Sequence, residues 1–578
     1  MTLSASQTGG DLLAATLHAA GVSRVFGLHG GHLEAFLKGC VDRDIALLDF
    51  RHEAAAGHAA DAYARATGRL GVCVVTAGPG VTNAMSAIAN AHLDASPTLF
   101  IIGAPPLREA ETNPLQGGFD QIAMVQPVTK WAHRITNVER IPDLAAMAIR
   151  QAMTGRCGPV VLEVPIDVLH AHADPAQVTE PASGWAAPRP APLPSEAARI
   201  VKLLSQAKRP AIIAGGAARH AQCGPALTAF AEASGIPVFG NTTALGLLAS
   251  DHPLSGGSPS NLAILKLTGQ EVPDVILLLG ARMGLLLGGR GDVIVPKDCQ
   301  LVQIYPDAAE IGRIRDIDIA VAADCGAALE ALLSAGKDVA WPSREAWAQT
   351  AVSMQTLMAG LYPETEGPGG IHPYHAARAV MTVAGSGAAY AFDGGEAAGW
   401  AGDNVRVDGP GRVLGHGYLG CLGIGPGFAI GLQSAYPERR VIQMTGDGAM
   451  GFHIQEFDTM VRHQLPIVTV VLNNRVWGMS IHGQQIMYGP NYSAMTKLGD
   501  TSYASVAGAF GCYSERVERY DEIAPALTRA LASGQPACIE IMVDADVVHP
   551  STTAMLGKPA DGSDDIIIPY YENIAPAP

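Results

Sequence analysis

Several kinds of residue are scarce in this chain, and each scarcity excludes a class of protein. Charged residues form only 16% of the sequence and no Lys/Arg run stands out, so we expect no nucleic-acid partner. The nine cysteines are scattered and include no CxxC pair, which favours a reduced cytoplasmic protein over a disulfide framework. We expect no signal peptide, because no basic region precedes a long apolar core, and no membrane span, because no apolar run reaches about 18 residues.

Apolar residues and glycine are abundant instead. The chain is 48% hydrophobic and has 66 glycines in 578 residues, a composition that suits a large, well-buried α/β protein. Strand-like apolar runs alternate with Ala-rich stretches of helical character along its length. This alternation predicts three doubly wound α/β domains, each with a mostly parallel sheet covered by helices.

Shifts in composition predict the domain boundaries. A Pro- and Ala-rich stretch, ADPAQVTEPASGWAAPRPAPLP, is interpreted as a linker, and a more polar connector follows the central domain. The C-terminal tail after Val547 is predicted to be irregular and is interpreted either as a surface arm or lid or as a disordered end. The predicted segments are an N-terminal domain (1–172), a linker (173–195), a central Rossmann-like domain (196–340), a second linker (341–372), a third domain (373–548) and the tail (549–578).

Polar residues follow two apolar runs of the third domain. The run ERRVIQMTGDG ends at Gly446-Asp447-Gly448, and LPIVTVVLNN ends at Asn473-Asn474. The carboxyl ends of parallel strands line the ligand crevice of an open α/β sheet. Asp447, Asn474 and the carbonyl of Val476 would give oxygen ligands to Mg²⁺, which also takes phosphate oxygens. A helix beginning near Gly448 would turn backbone N–H groups towards those phosphates.

Glu53 is a candidate catalytic residue in the N-terminal domain. It lies in LLDFRHEAAAGHAADAYARATG, where a strand ends and an Ala-rich helix begins. A carboxylate in a first helical turn often only complements the helix dipole. The surroundings here are small and apolar, and a buried carboxylate is costly without a polar partner. A ring nitrogen of a bound cofactor would be such a partner.

Histidines and a glutamine in glycine-rich loops are candidates for proton transfer. His29 and His32 lie in FGLHGGHLEAF, Gln116 in NPLQGGFDQ, and His416 in GHGYLGCLGIG. An imidazole relays protons near neutral pH, which favours a catalytic role for His32. The alternatives remain open: one of the two histidines can cap the following helix while the other faces solvent in the loop, and Gln116 and His416 can satisfy loop backbone groups.

Other glycine-rich segments are weaker signals. Leu422 lies in YLGCLGIGPGFAIG, which can approach a flat ligand closely, although a single Leu is usually core. The central-domain segments PAIIAGGAARH and LLLGARMGLLLGGR look like nucleotide loops. A strand followed by glycines is a weak signal, so FAD or ADP in the central domain is the less favoured interpretation.

Together these segments resemble the thiamin-diphosphate-dependent enzymes of the pyruvate oxidase/acetolactate synthase family, and within it the benzaldehyde-lyase branch is the most similar. The resemblance covers nearly the whole chain and includes GLHGGH, DFRHEAAAGHAADAYARA, VTAGPGVTNA, NPLQGGFDQ, GDG…NN and VWGMSIHGQQ. It implies a pyrimidine-binding first domain and a diphosphate-binding third domain. It also implies that one cofactor site is shared by two subunits, in a homodimer at minimum and an expected homotetramer.

The resemblance also implies residue roles. Glu53 would bind N1′ of the aminopyrimidine, Leu422 would wedge beneath the cofactor, and Gly420 would hold the pyrimidine edge. His32, Gln116 and His416 would act in proton transfer. The full predicted set has two further parts. The diphosphate and Mg²⁺ side comprises Gly395, Glu396, Gly446, Asp447, Gly448, Ala449, Asn474, Val476 and Trp477. The substrate pocket comprises His29, His32, Gln116, Ile166, Ala398, His416 and Met479.

The implied activity is cleavage or formation of acyloins from aldehydes, with an altered pocket. At Ile166 and Ala398 the benzaldehyde-lyase branch has aromatic residues, and at Met479 it has a small one, so a benzaldehyde-type substrate is not expected. One alternative is a 2-hydroxyacyl-CoA lyase or oxalyl-CoA decarboxylase-like enzyme. Others are an acetolactate synthase or 2-keto acid decarboxylase, and a catalytically silent subunit, against which the intact Glu53, Asp447 and Asn474 argue.

Overall fold

The computed structural model describes residues 7–109, 112, 115–179, 188–289 and 291–554. Part of the predicted first linker (180–187) and most of the predicted tail (555–578) lie outside the described residues. Within the part of the chain that is described, no helix has the length and apolar character needed to cross a membrane.

The strands, in chain order, are β1 (Arg24–Gly27), β2 (Ala46–Asp49), β3 (Gly71–Val75), β4 (Thr98–Ala104), β5 (Trp131–Arg134), β6 (Val160–Pro165), β7 (Pro210–Ala214), β8 (Val238–Gly240), β9 (Val275–Leu279), β10 (Gln300–Tyr305), β11 (Ile319–Ala322), β12 (Glu366–Gly367), β13 (Gly370–Ile371), β14 (Ala389–Phe392), β15 (Val413–Gly415), β16 (Val441–Gly446), β17 (Val468–Asn473), β18 (Tyr513–Val517) and β19 (Ala537–Met542).

The α-helices are α1 (Gly9–Ala19), α2 (Glu34–Val41), α3 (Glu53–Thr67), α4 (Pro79–Leu93), α5 (Gln121–Val125), α6 (Ile141–Met153), α7 (Ile166–His170), α8 (Pro194–Gln206), α9 (Gly216–His220), α10 (Gly224–Ser234), α11 (Ser260–Leu267), α12 (Cys325–Gly336), α13 (Glu345–Ser353), α14 (Pro373–Ala384), α15 (Glu396–Asn404), α16 (Gly425–Ala435), α17 (Asp447–Met450), α18 (Glu456–Arg462), α19 (Gly478–Tyr488), α20 (Tyr503–Ala509), α21 (Tyr520–Ser533) and α22 (Pro550–Ala554).

Three large sheets carry the fold, and their strand pairs are parallel, which confirms the predicted α/β class. Their strand orders are β2-β1-β3-β4-β6-β5, β11-β10-β9-β7-β8 and β15-β14-β16-β17-β19-β18. Central strands such as β3, β4 and β17 are buried along their whole length, because helices cover both sheet faces. Continuous apolar runs, rather than alternating ones, therefore mark these strands in the sequence.

The chain forms two compact units. The first comprises the described parts of Met1–Pro188, His416–Pro437 and His453–Leu465. The second comprises Arg189–Gly415, Glu438–Phe452 and the described part of Pro466–Pro578, and it contains both the central and the third sheet. Helices α16 and α18 therefore pack in the first unit, although the sequence assigns them to the third domain. The boundaries predicted from composition are not tested by this grouping.

Helix α3 packs closely on α16 inside the first unit. A Cβ atom added at Gly427 would lie 2.6 Å from the carbonyl oxygen of Ala55, and one at Gly431 would lie 2.4 Å from that of Ala59. Only glycine permits this approach, so the small residues of both helices are needed for packing. The first turn of α3, which carries Glu53, is capped by His52, whose ring accepts a hydrogen bond from the Ala54 N–H.

Candidate active site

The carboxyl edge of the third sheet brings Asp447 and Asn474 together. Strands β16 and β17 are adjacent and in register from Ile442 with Val468 to Gly446 with Leu472, so the next residues share this edge. Asp447 is buried and its carboxylate accepts hydrogen bonds from the N–H groups of Gly448 (2.9 Å) and Arg475 (2.8 Å). Burial raises the pKa of Asp447 to about 6 despite these bonds.

Glycines line the same edge of the third sheet and allow close approach of neighbouring loops. Gly394 has a φ of +93°, and a Cβ atom there would lie 3.2 Å from the Gly446 nitrogen. A Cβ at Gly448 would lie 2.5 Å from the Trp477 ring, and one at Gly395 would lie 3.1 Å from Cβ of Met479. These glycines are therefore needed where the loops of this edge pack closely on one another, and a diphosphate beside them stays a prediction. Helix α17 spans only Asp447–Met450, so the predicted helix after Gly448 is one turn long.

The chemistry of the donor set fits Mg²⁺. Among the described residues no group of three or more His, Cys, Asp or Glu side chains is arranged to hold a metal ion. A metal at this edge would depend on one carboxylate (Asp447), one amide oxygen (Asn474) and backbone carbonyls. Mg²⁺ is commonly held by one or two carboxylates together with phosphate oxygens and water. The assignment of Asp447, Asn474 and Val476 as ligands stays a prediction.

Glu396 has structural partners that the sequence did not reveal. Its buried carboxylate lies 2.9 Å from Nδ1 of His482 and accepts hydrogen bonds from the Thr552 hydroxyl (2.6 Å) and the His549 N–H (3.3 Å). Burial alone would lower the pKa of His482, but Glu396 raises it above the usual value. The side chain of Glu396 is therefore committed to holding the segment around His549 and Thr552. The start of the predicted tail is accordingly helical and packed rather than irregular.

Glu53 in the first unit also has a partner from a distant part of the chain. It is 6% exposed, and its Oε2 accepts a hydrogen bond of 3.0 Å from the amide of Asn83 on α4. The requirement of a buried carboxylate for a polar partner is thus met in part by the protein. Sequence reasoning missed Asn83, although it lies in the quoted segment VTAGPGVTNA.

His32 lies at the carboxyl edge of the first sheet. Its Nδ1 is 3.1 Å from the Thr76 hydroxyl, and a Cβ atom at Gly103 would lie 2.8 Å from the His32 Cβ. Burial lowers the pKa of His32 below its ordinary value, which favours the neutral imidazole. His29 differs, because its side chain is 63% exposed and pairs with Glu34 at 2.8 Å.

Gln116 lies against Gly78, and the backbone of Gly78 is held by a second glutamine, Gln121, which was not predicted as a site residue. Gln116 has a φ of +55°, and a Cβ atom at Gly78 would lie 3.0 Å from its Cα. The buried Gln121 side chain accepts a hydrogen bond from the Gly78 N–H (2.8 Å) and donates to the carbonyl of Gly103 (3.1 Å) and to Glu163 (2.8 Å). One amide therefore fixes both glycines that contact His32 and Gln116.

The predicted site residues fall into two sets, each within one compact unit. The half-buried Ile166 begins α7, and the half-buried His416 follows β15. Ala398 lies in α15, against the core of the third sheet. The first unit holds His29, His32, Glu53, Gln116, Ile166, His416, Gly420 and Leu422. The second unit holds Gly395, Glu396, Ala398, Gly446, Asp447, Gly448, Ala449, Asn474, Val476, Trp477 and Met479.

Packing accounts for the glycines of the central sheet that resemble nucleotide loops. A Cβ atom at Gly215 would lie 2.3 Å from the carbonyl oxygen of Gly280, and one at Gly280 would lie 2.3 Å from the Ala218 nitrogen. Gly280 also has a φ of +62°. These glycines are needed where β9 meets the start of α9, so they are not evidence for a nucleotide.

Comparison with known families agrees with this architecture. Residues 7–124 match the family model described as the N-terminal TPP binding domain of thiamine pyrophosphate enzymes. Residues 197–332 match their central domain, and residues 393–541 match their C-terminal TPP binding domain. The chain therefore belongs to the thiamine pyrophosphate enzyme family, and thiamin diphosphate is the cofactor that its binding domains indicate.

The relatives of this chain include enzymes with two different named activities, so the comparison does not identify the substrate. The chain is 33% identical to the acetolactate synthase large subunit IlvG of Mycobacterium tuberculosis, over 94% of this chain and 96% of that protein. It is 30% identical to a probable acetolactate synthase large subunit of Methanocaldococcus jannaschii, covering 93% and 92%. It is also 30% identical to 2-hydroxyacyl-CoA lyase 2 of Bos taurus, covering 93% and 90%. These names favour the alternatives from the sequence over a benzaldehyde-lyase-like activity, which stays a prediction.

Proposed function

We propose that this chain is a thiamin-diphosphate-dependent lyase and carboligase that breaks or forms the C–C bond of a 2-hydroxy carbonyl compound. 2-Hydroxyacyl-CoA esters are the favoured substrates, and the acyloins expected from the sequence are the next. The observation that carries the proposal is the position of His32, whose Nδ1 lies 3.1 Å from the Thr76 hydroxyl and which contacts the same glycine-lined edge as Gln116.

The cofactor supplies a stabilised carbanion equivalent at carbon, and the protein supplies orientation and proton control. Breaking the C–C bond of a 2-hydroxy carbonyl compound requires removal of the hydroxyl proton. A neutral imidazole within reach of that hydroxyl accepts the proton, and the uncharged amide of Gln116 orients the same oxygen. A 2-keto acid donor has no such hydroxyl, so this pair of residues favours the lyase over a decarboxylase.

The residues that would hold the cofactor are those of the two sheet edges. Asp447 and Asn474 would bind Mg²⁺, and the glycines at 394, 395, 446 and 448 would let the loops around the diphosphate pack closely on one another. Glu53, steadied by Asn83, would bind the aminopyrimidine ring. We propose a homodimer at minimum, since the family resemblance assigns the two halves of each site to different subunits. Light scattering of the purified protein tests this, and a monomer with full activity would contradict it.

An acetolactate synthase-type activity is the second candidate. It is supported by the 33% identity to the mycobacterial synthase over nearly the full length of both proteins. This activity would join two molecules of pyruvate with loss of CO₂, so its first substrate is a 2-keto acid.

A product screen by mass spectrometry separates these candidates. The holoenzyme, loaded with thiamin diphosphate and Mg²⁺, is offered 2-hydroxyacyl-CoAs, aromatic and aliphatic acyloins, simple aldehydes and pyruvate. We expect cleavage of a 2-hydroxyacyl-CoA to an aldehyde and formyl-CoA. Acetolactate and CO₂ from pyruvate, with no cleavage of any 2-hydroxy compound, would overturn the proposal in favour of the second candidate.

A further inference from the structure

The loop Gly417–Gly423, called the pyrimidine loop below, is held at both ends by buried side chains. At its start, the Tyr418 N–H donates a hydrogen bond of 3.1 Å to Oδ1 of Asp94. At its end, Nδ1 of His453 donates to the carbonyl of Gly423 at 2.6 Å. The loop carries Gly420 and Leu422, the residues predicted to contact the cofactor, and Gly420 has a φ of +64°. One hydrogen bond at each end therefore holds this short loop in its conformation.

Asp94 is held in turn by a buried ion cluster. Nη2 of Arg65 lies 2.9 Å from Oδ2 of Asp94, and both side chains are almost fully buried. Arg65 also binds Asp61 in a bidentate pair, at 2.7 and 2.6 Å, and the Asn90 amide donates to Asp61 at 2.9 Å. Burial alone would raise the pKa of Asp61, but Arg65 and the hydrogen bonds lower it below the usual value. One guanidinium thus faces two carboxylates.

Because Arg65 is shared between two carboxylates, Asp94 needs a further hydrogen-bond donor, and the loop provides one. A buried carboxylate needs hydrogen-bond donors as well as a counter-charge, and Arg65 is shared with Asp61. The backbone N–H of Tyr418 supplies such a donor. The interaction joins residues 324 positions apart in the chain, so it constrains the loop relative to α3 and α4.

The Asp94 carboxylate also lies directly against Gly417, in the space that a side chain at this position would need. A Cβ atom at position 417 would lie 1.9 and 2.0 Å from the two oxygens of Asp94. Gly417 is not among the residues with positive φ, so the backbone conformation does not demand glycine there. Glycine is required at position 417 because the Asp94 carboxylate lies so close to it. A side chain at position 417 would force the loop and the Asp94 carboxylate apart and so break their hydrogen bond.

The ion cluster also reaches the helix that follows the loop. The Arg65 guanidinium lies over the Phe428 ring, 5.1 Å from its centroid, and Phe428 is in the first turn of α16. Arg65 and Asp61 themselves lie on α3, the helix that begins at Glu53. The cluster therefore links the helix of the proposed catalytic glutamate to the pyrimidine loop within one unit.

We propose that Asp94, held by Arg65, is a positioning residue that sets the pyrimidine loop in its cofactor-binding conformation. The inference concerns the thiamin diphosphate of the family and does not depend on which substrate the enzyme takes. Asp94 acts through the loop backbone. Its loss is expected to weaken cofactor binding while leaving the rest of the first unit folded, because Arg65 keeps Asp61 as a partner.

The test measures the Kd for thiamin diphosphate at saturating Mg²⁺, together with deuterium exchange at C2 of the bound cofactor and the Tm of the metal-free protein. For Asp94→Ala we expect a Kd about tenfold to a hundredfold higher, the ratio expected for one lost hydrogen bond to a charged group. Exchange at C2 is expected to slow by on the order of a hundredfold, because a displacement of about 1 Å has that effect on an aligned reaction. Asp94→Asn, whose single oxygen serves either Tyr418 or Arg65, is expected to fall between wild type and Ala.

Two further variants separate positioning from folding. Gly417→Ala keeps every charge and should reproduce the higher Kd through displacement of the loop alone. Asp61→Asn disturbs the same ion cluster without touching the loop, so we expect a lower Tm with a Kd within about twofold of wild type. Unchanged Kd and C2 exchange in both Asp94→Ala and Gly417→Ala would overturn the proposal, as would an equal rise in Kd for Asp61→Asn. Failure of the wild-type protein to bind thiamin diphosphate would instead count against the family's cofactor.

Discussion

The amide of Asn83 donates a hydrogen bond of 3.0 Å to Oε2 of Glu53, linking the start of α3 to the first turns of α4. This contact orients the buried carboxylate that the sequence singled out. The glutamate is therefore not a surface residue that only complements a helix dipole.

Glu53→Gln tests the proposed role of this carboxylate. We expect the variant to bind thiamin diphosphate but to lose turnover by about 10²–10⁴-fold, the range for removal of a group that controls proton transfer. Asn83→Ala should give a smaller loss, since it removes only the orienting bond. Turnover on the true substrate and cofactor binding by calorimetry are the measurements, with the exposed Glu438→Gln as control. Near-normal turnover of Glu53→Gln would contradict the assignment.

Removal of the metal should abolish activity reversibly. Dialysis against EDTA is expected to give an inactive protein, and thiamin diphosphate with Mg²⁺ is expected to restore it. The pKa of Asp447 is raised to about 6 by burial in the metal-free protein, and a protonated carboxyl does not bind Mg²⁺. Mg²⁺ affinity should therefore fall about tenfold for each pH unit below 6.

The matched variant for this prediction is Asp447→Asn, which should bind Mg²⁺ weakly at every pH because it has no carboxylate to titrate. Titration of the cofactor-loaded protein with Mg²⁺ between pH 5 and pH 8 measures the Mg²⁺ affinity of the wild type and of the variant at each pH. Recovery of activity with thiamin diphosphate alone, in strictly metal-free buffer, would count against Asp447 and Asn474 as ligands.

Loss of the Gln121 side chain should lower kcat/KM for the substrate without changing the affinity for the cofactor. Gln121→Ala removes the bonds that hold Gly78, Gly103 and Glu163, so His32 and Gln116 lose their fixed positions. We expect kcat/KM to fall about 10²-fold, the effect of a displacement of about 1 Å, while the Kd for thiamin diphosphate stays unchanged. Gln121→Glu, similar in shape but facing the Glu163 carboxylate, should not rescue the loss. A weaker cofactor Kd with unchanged kcat/KM would refute this role.

Glu456 should make the stability of the metal-free protein depend on pH. It is fully buried, Oε2 accepts the Thr459 hydroxyl, and within the described residues Oε1 has no hydrogen-bond partner. Burial raises its pKa to about 7, from 4.5 for the unfolded chain. The stability that goes with this raised pKa is present in full below pH 4.5 and is lost as the pH rises through about 7. At pH 8 the ionised group therefore costs about 3 kcal/mol.

Glu456→Gln removes this titration. We expect its Tm to exceed that of wild type at pH 8 and to approach it below pH 5, with the exposed Glu438→Gln showing no such pH dependence. Thermal unfolding at a series of pH values is the measurement. A Tm difference that is the same at pH 5 and pH 8 would show that the pKa of Glu456 is not raised in the folded protein.

Local sequence was sufficient for the fold class and for part of the candidate site. Buried parallel strands are continuous apolar runs whose carboxyl ends lie at one edge of a sheet. The segments GDG and NN therefore predicted that Asp447 and Asn474 follow neighbouring strands, and β16 and β17 are adjacent. The family likewise follows from contiguous segments. The start of the tail was predicted wrongly as irregular, because the contact of Thr552 with Glu396 spans 156 residues.

What the sequence by itself determined is therefore the α/β architecture, the family and the identity of the polar residues at strand ends, since each depends on short contiguous patterns. Only the tertiary structure decided which distant side chains hold those residues in place. Three hydrogen bonds show this: they join Asn83 to Glu53, Gln121 to Gly78 and Asp94 to Tyr418, over separations of 30, 43 and 324 residues. The physical reason is burial, because a polar group removed from water must find a partner wherever the fold brings one, and no local pattern records that choice.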